Sequence, residues 1–236
     1  MRCDISVVIP AYNEAERLGS TLERAVDYLS RRSLSYEVLV VDDGSRDRTV
    51  QVAEAFAGNG VRVIRHERNR GKGAAIKTGV LASRGAEVLL SDADASTPIE
   101  ELERLQRKLP DAPVVLGSRA VAGADIRQHQ PIYREVMGKT FNLIIRLVGV
   151  RGLNDTQCGF KLLEGETARQ IAAELTVDGF AYDVELVFLA RRHGYKVVEV
   201  GVIWVDSPDS RVDPIRSSLS MLRDVVRMRI RHSGGR

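Results

Sequence analysis

Two aspartates one residue apart, Asp92 and Asp94, follow the apolar run Glu87-Val-Leu-Leu-Ser91 in the stretch SDADASTP. Carboxylates held at a strand end with this spacing can present oxygens to a hard divalent cation, and such a cation can carry the pyrophosphate of a nucleotide. The chemistry they point to is metal-dependent and acts on a nucleotide-linked substrate. An acidic pair in a polar turn is also a common solvated surface feature, so the meaning of this pair depends on what else the chain brings beside it.

Three further segments sit at places comparable to Asp92-Ala-Asp94, each after an apolar run: Pro10-Ala-Tyr-Asn-Glu14, Asp42-Asp-Gly-Ser45 and Asn69-Arg-Gly-Lys-Gly73. Gly71-Lys72-Gly73 opening a helix leaves backbone N–H groups to meet an anion, although neither a Walker A spacing nor a GxGxxG fingerprint is present. Asp42 and Asp43 accept hydrogen bonds either from a base or ribose or, with Ser45 and Asp47, from their own turn and the next helix. Glu14 is placed to stabilise a helix start through the dipole.

The elements that must position these residues are legible as an alternation. β-branched runs at Ile5–Pro10, Val38–Asp42, Val61–His66, Glu87–Ser91 and Val114–Gly117 read as strands. Helical patterns cover Ala15–Leu29, Arg48–Ala57, Lys72–Ala82 and Ile99–Lys108, the last with Pro98 before its first turn. The pattern predicts an α/β fold, a mainly parallel Rossmann-like sheet covered by helices on both faces, with ligands at the carboxyl ends of the strands. Beyond Ala120 the signal is less regular. A loop over Ala120–Pro131 reads as a lid, helices are expected over Tyr133–Val148, Glu166–Ala173 and Asp183–His193, and Lys196–Val205 reads as one late strand ending in Trp204.

The C-terminal stretch Pro214–Arg231 places Ile215, Leu219, Leu222, Val226 and Ile230 on one helical stripe beside Arg216, Arg223, Arg227 and Arg231. This basic amphipathic helix fits either an anionic membrane surface or a docked terminal helix with a solvated arginine face. We expect one domain: residues 1–212 as the catalytic part and 213–236 as its C-terminal helix and tail.

Composition excludes several classes. The net charge is +3 over 236 residues, with basic residues spread out rather than interleaved with aromatics, so nucleic acid is not an expected partner. Cys3 and Cys158 are the two cysteines, far apart and outside any metal spacing, which fits a reducing compartment and a small buried thiol at 158. His66, His129, His193 and His232 are scattered and receive no catalytic role. The chain runs almost at once into a strand pattern, without a signal core, and no stretch approaches the ~20 apolar residues of a membrane span, so a cytoplasmic protein, peripheral on the membrane face through its last helix, is expected. The oligomeric state is not legible.

Read in order, VVIPAYNEAERL at 7–18, VVDDGSRDRT at 40–49, NRGKGAA at 69–75 and SDADASTP at 91–98 resemble the inverting family 2 glycosyltransferases of the GT-A fold. GSRAV at 117–121, the segment from Arg134 through Gly138 and Lys139, DTQCGFKLL at 155–163 and FAYDVEL at 180–186 resemble the dolichyl- or polyprenyl-phosphate sugar synthases, and DTQCGFK with the STP after the acidic pair resembles the glucosyl branch more than the mannosyl one. The resemblance implies a nucleotide-sugar site of Pro10, Ala11, Tyr12, Glu14, Asp42 or Asp43, Lys72, Asp92 and Ala93, with Asp92 and Asp94 holding Mg2+ or Mn2+. Mannosyl relatives often carry a Gln two positions after the second aspartate; here Ser96 stands there, and a third protein ligand is not expected.

An acceptor phosphate has its second pKa near ~6 and is largely dianionic at neutral pH, so it needs positioning and charge compensation more than a base. Arg119, Arg134, Lys139 and Arg211 are the cations expected around it. A hydroxyl acceptor would instead need a base, with Asp155 first and Asp183 and Glu185 behind it. The expected function is metal-dependent transfer of glucose from UDP-glucose to a polyprenyl or dolichyl phosphate. Transfer of mannose from GDP-mannose, a soluble or glycan hydroxyl acceptor, an inactive nucleotide-sugar-binding module and a nucleotidyltransferase remain as alternatives.

Overall fold

The computed structural model describes residues 3–128, 152–205 and 214–233. Its centre is a seven-stranded sheet in the order β3-β2-β1-β4-β7-β5-β8, built from β1 (Cys3–Ala11), β2 (Tyr36–Asp42), β3 (Val61–Arg65), β4 (Gly85–Leu90), β5 (Val114–Ser118), β7 (Lys161–Glu164) and β8 (Val197–Gly201). A second sheet pairs β6 (Asp125–Gln128) with β9 (Ile203–Val205). In the large sheet β7 runs antiparallel to β4 and β5, and every other pairing is parallel.

The central strands read as unbroken apolar runs because both faces are covered. Val8, Leu39, Val41, Val88 and Leu90 pack on one side with helices α3 (Lys72–Ala82), α5 (Gly165–Glu174), α6 (Tyr182–Arg192) and α7 (Pro214–Ser233). Ile5, Val7, Ile9, Val38, Val40 and Leu89 pack on the other with α1 (Leu18–Arg31) and with α4 (Leu102–Gln106) and the turn before it; Ala53 of α2 (Thr49–Glu54) joins them. Alternate residues of one strand thus serve opposite cores, as strand geometry requires.

The strand order reverses between β1 and β4, which are direct neighbours with Val8 opposite Leu90. At such a switch point the loops after the two strands diverge and leave a crevice at their carboxyl ends. The loop at 10–14 and the loop at 92–95 flank that crevice.

Three expectations are corrected here. The stretch read as an irregular lid contains β6, paired parallel to β9 with a bulge between Ile126 and Gln128, so residues 125–128 are tied to that strand. The single late strand is two, interrupted at Val202, whose N–H bonds to the Ser118 carbonyl while its own carbonyl accepts from Asp125. Strand β7, only four residues long, which begins in DTQCGFKLL and ends one residue past it, was not anticipated. It is too short for a period to register in sequence and has meaning only between β4 and β5. The helix expected over residues 133–148 lies outside the described residues.

Candidate active site

The loops after β1, β2 and β3 are laced into one floor. The Asn13 amide donates to Ser45 Oγ at 2.8 Å, Asn13 Oδ1 accepts from the Arg46 amide at 2.8 Å, and the Glu14 amide donates to Thr49 Oγ1 at 2.8 Å. Asn13 adopts a left-handed backbone (φ 56°), which an Asn side chain with such local bonds tolerates. Tyr12, beside it, is left 39% exposed at the crevice.

Asp42 and Asp43 are both buried. Asp42 accepts from the Ser45 amide at 3.3 Å and approaches Arg65 Nε at 3.6 Å. Asp43 accepts from His66 Nδ1 at 2.7 Å and from the Arg70 and Gly71 amides at 2.9 and 2.7 Å. The Arg70 and Gly71 amides just before α3 thus meet the chain's own Asp43. Gly71 has φ +110°, and a β-carbon there would lie 2.4 Å from the Asp178 carbonyl, so the turn is pressed between Asp43 and the loop before α6.

Lys72, first residue of α3, reaches across to Asp92 with Nζ 2.6 Å from Oδ1. Burial opposes the charged ammonium, but Asp92, Asp183 and Asp94 more than offset it and leave its pKa raised. Burial likewise works against the Asp92 carboxylate, and Lys72 first, then Lys161 and Arg119, hold it below the usual range. A β-carbon on Gly159 would stand 2.0 Å from Asp92 Oδ2, so Gly159 leaves the room this carboxylate occupies. Ala93 is buried, and its carbonyl accepts from Thr21 Oγ1 at 2.7 Å, which pins the loop to α1. Asp94 Oδ1 accepts from the Ser96 amide at 3.0 Å, and Arg17 Nη1 lies 3.7 Å from its other oxygen. Ala95 between them is held at φ 50°.

On the far side, Arg119 at the end of β5 grips Asp155. Nε and Nη2 donate at 2.7 and 3.0 Å, the Arg119 amide adds a bond of 3.1 Å, and the Gln157 amide another of 3.1 Å. Asp155 is 2% exposed; burial would raise its pKa, and Arg119 outweighs burial and lowers it. Trp204 lies under the Arg119 guanidinium at 5.3 Å, a cation–π contact rather than plain packing. Glu199 on β8 supports the pair from behind, accepting from the Asp155 and Asn154 amides at 2.7 Å each and from Ser118 Oγ at 2.8 Å.

Lys161 is fully buried and bonds to Asp183 and, at 2.5 Å, to the Cys158 carbonyl. Burial raises the Asp183 pKa despite Lys161 and Lys72. Glu185, also buried, accepts from the Thr176 and Val177 amides at 2.9 and 2.8 Å and meets His232 Nε2 at 2.8 Å. Neither carboxylate is placed as a solvent-facing base. Burial pushes the Cys158 thiol up as well, as befits a packed side chain.

Sequence reasoning named Asp92, Asp94, Lys72, Arg119 and Asp155, and the structure joins them into one electrostatic cluster. Lys161, Gly159, Arg17 and Glu199 were missed; the first three lie in quoted motifs, and nothing local marks Glu199. Arg134, Lys139 and Arg211 lie outside the described residues. Two half-buried carboxylates at a strand end form an oxygen-only donor set suited to Mg2+ or Mn2+. Among the described residues no third His, Cys, Asp or Glu converges on them, so a cation there would draw its remaining ligands from a diphosphate and water.

A mixed sheet with its acidic loop at the switch point, facing loops that can enclose a nucleotide, defines a GT-A type glycosyltransferase. The chain belongs to glycosyl transferase family 2, whose family model matches residues 6–166. It is 36% identical to the dolichyl-phosphate beta-glucosyltransferase of Dictyostelium discoideum over 97% of this chain and 74% of that protein. To the human protein of the same name it is 36% identical, covering 98% and 76%. The fold is shared with glucosyl-3-phosphoglycerate synthase from Mycobacterium tuberculosis, solved with Mn2+, UDP-glucose and phosphoglyceric acid, at TM-score 0.71 and 20% identity over 96% of this chain and 78% of that one. Mannosyl-3-phosphoglycerate synthase from Rubrobacter xylanophilus superposes at TM-score 0.72 and 21% identity, covering 98% and 75%.

Proposed function

We propose that this enzyme transfers glucose from UDP-glucose to a polyprenyl phosphate, with inversion at the anomeric carbon and with Mg2+ or Mn2+ bound at Asp92 and Asp94. The observation that carries this reading is the near full-length similarity to dolichyl-phosphate beta-glucosyltransferases, which runs through the segments that build both sides of the site.

The acceptor phosphate oxygen attacks the anomeric carbon as the bond from that carbon to the diphosphate oxygen breaks, and UDP departs with the bonding electrons. The cation, when bound, supplies charge stabilisation for the leaving diphosphate. Tyr12 and the loops after β1 and β2 receive the nucleoside; Asp42 and Asp43 act by fixing those loops. Lys72 is close enough to Asp92 to accompany the diphosphate. Arg119, oriented by Asp155 and Trp204, compensates the acceptor dianion, with Arg134, Lys139 and Arg211 as further candidates. Asp155 has its lone pairs filled by four hydrogen bonds, which favours a positioning role over proton abstraction and a phosphate over a hydroxyl acceptor.

The test is transfer from radiolabelled UDP-glucose and GDP-mannose to a short-chain polyprenyl phosphate in detergent, with Mn2+ or EDTA, for wild type and Asp94→Ala. Metal-dependent glucosylation of the lipid, lost in the variant, is expected. Labelling from GDP-mannose instead would replace the donor, and nucleotide binding without lipid labelling would rule out the acceptor.

A further inference from the structure

Helix α7 turns a different face to the body than its sequence stripe predicts. Met221, Val225 and Met228 are the buried positions, at 8, 1 and 1% exposure, and His232 on the same face meets Glu185. The stripe of Leu222, Val226 and Ile230, spaced by four residues, lies roughly 130° around the helix from that face. Val226 is 47% and Ile230 68% exposed, and Leu222 is partly so. Arg223, Arg227 and Arg231 run along one side of the stripe, and Arg229 stands on the other with its guanidinium 5.3 Å from the Phe188 ring centroid. Asp224, the acidic residue between Met221 and His232, lies near Gly179, where a β-carbon would come within 3.4 Å of it.

A water-facing helix of a globular domain normally carries polar residues on its outer side. This one carries a narrow aliphatic line between cationic flanks. From residue 222 to residue 230 it is about 12 Å long and one side chain wide. That is far less than the ~800 Å² per partner a stable protein interface needs, and it lacks an exposed aromatic anchor. Shallow insertion between lipid headgroups needs only such a line, and arginines beside it complement anionic phosphates.

We propose that the outward face of α7 beds into an anionic membrane surface, with Leu222, Val226 and Ile230 at the acyl boundary and Arg223, Arg227, Arg229 and Arg231 among the headgroup phosphates. The inner face of the same helix reaches the site: Met221 Sδ lies 3.7 Å from Gln157 Nε2 of the DTQCGFK segment. Bedding the outer face therefore holds that segment about one helix diameter, ~10 Å, from the bilayer. The proposal concerns the membrane contact and holds whatever the acceptor.

The full chain is tested by co-sedimentation with vesicles of phosphatidylcholine alone and vesicles that also contain phosphatidylglycerol. Wild type is expected on the anionic vesicles, at least about 10-fold more strongly than on neutral ones, with salt weakening the binding. Val226→Glu/Ile230→Glu is expected to lose about 10-fold or more, and Arg227→Gln/Arg231→Gln roughly 30-fold. Because the replaced side chains are exposed, thermal unfolding and UDP binding stay as in wild type, which separates loss of docking from loss of fold or of the donor site. As a second readout that keeps the apolar character, Ile230→Trp is expected to be quenched by brominated acyl chains. Absence of wild-type binding to anionic vesicles, a glutamate variant that binds as wild type does, or an Ile230→Trp signal unaffected by brominated lipid would each overturn the proposal. A dimer in sedimentation velocity that the glutamate pair dissociates would assign the face to a second copy instead.

Discussion

Arg119 and Asp155 form a two-pronged ion pair in which the guanidinium donates at 2.7 and 3.0 Å, and both carboxylate oxygens are filled by two further backbone amides. Such a fork is planar and directional, and a lysine cannot reproduce it. The pair presents one oriented cation, about a quarter of it exposed, at the end of β5.

Arg119→Lys and Asp155→Asn are each expected to lower kcat/KM for transfer to a polyprenyl phosphate by about 100-fold, since both disorder the same cation. The double variant should be no worse than the poorer single, because the two side chains act as a unit. Steady-state kinetics across pH check the role: the acidic limb of kcat/KM persists in Asp155→Asn if it reports the acceptor phosphate, whereas its disappearance would make Asp155 the base.

Stability should respond to the same pair. The folded-state pKa of Asp155 is depressed, so its contribution is fully present above the unfolded value of about 4 and is lost as pH falls through the lower native value. Urea unfolding of wild type and Asp155→Asn should therefore differ by a constant amount above about pH 4 and converge below it. A difference that grows on acidification would contradict the depressed pKa.

Gly159→Ala brings a methyl group to 2.0 Å from Asp92 Oδ2. The carboxylate is the far end of a side chain and can swing aside, so the fold should survive with a melting temperature close to wild type. The position proposed for Asp92 at a metal would not survive, and calorimetry should show UDP with Mn2+ binding about 10-fold more weakly.

Ala95 sits at φ 50° between Asp94 and Ser96. Left-handed backbone costs an L-residue roughly 1–2 kcal/mol, partly offset by the extra unfolded-state freedom of glycine, so Ala95→Gly should stabilise by about 0.5–1 kcal/mol in chemical denaturation. Destabilisation would mean that the alanine methyl contributes packing that outweighs the strain.

His232→Ala removes a partner of the fully buried Glu185, which also holds the Thr176 and Val177 amides. An expected loss of about 1–3 kcal/mol, read by urea unfolding, follows from leaving that carboxylate short of a donor.

Much of this was readable along the chain. The apolar runs of β1, β2 and β4 announce buried parallel strands because a strand covered on both faces needs no polar alternation, and the acidic and glycine-bearing segments fall directly after them. That arrangement alone brings Asp92, Asp94 and Lys72 to the same end of the sheet. Local pattern could not give β7, because four residues carry no measurable period and its place is set by β4 and β5 on either side. Nor did it separate β8 from β9: Gly201 stands just before the break at Val202, but one glycine does not reveal that the two strands have different partners.

The parallel strands β1 to β5, the helices on their two faces and the loops at their carboxyl ends follow from the periodicity of burial and from residue types. What each charge does there depends on tertiary neighbours: Asp43 meets the Arg70 and Gly71 amides, Lys72 meets Asp92, and Asp155 is filled by Arg119. The tertiary structure alone decided which side of α7 is docked. The physical reason is common to all of them. A side chain's protonation and exposure depend on neighbours distant in sequence, and a helix with apolar residues on two arcs leaves the choice of buried arc to the shape of the surface that receives it.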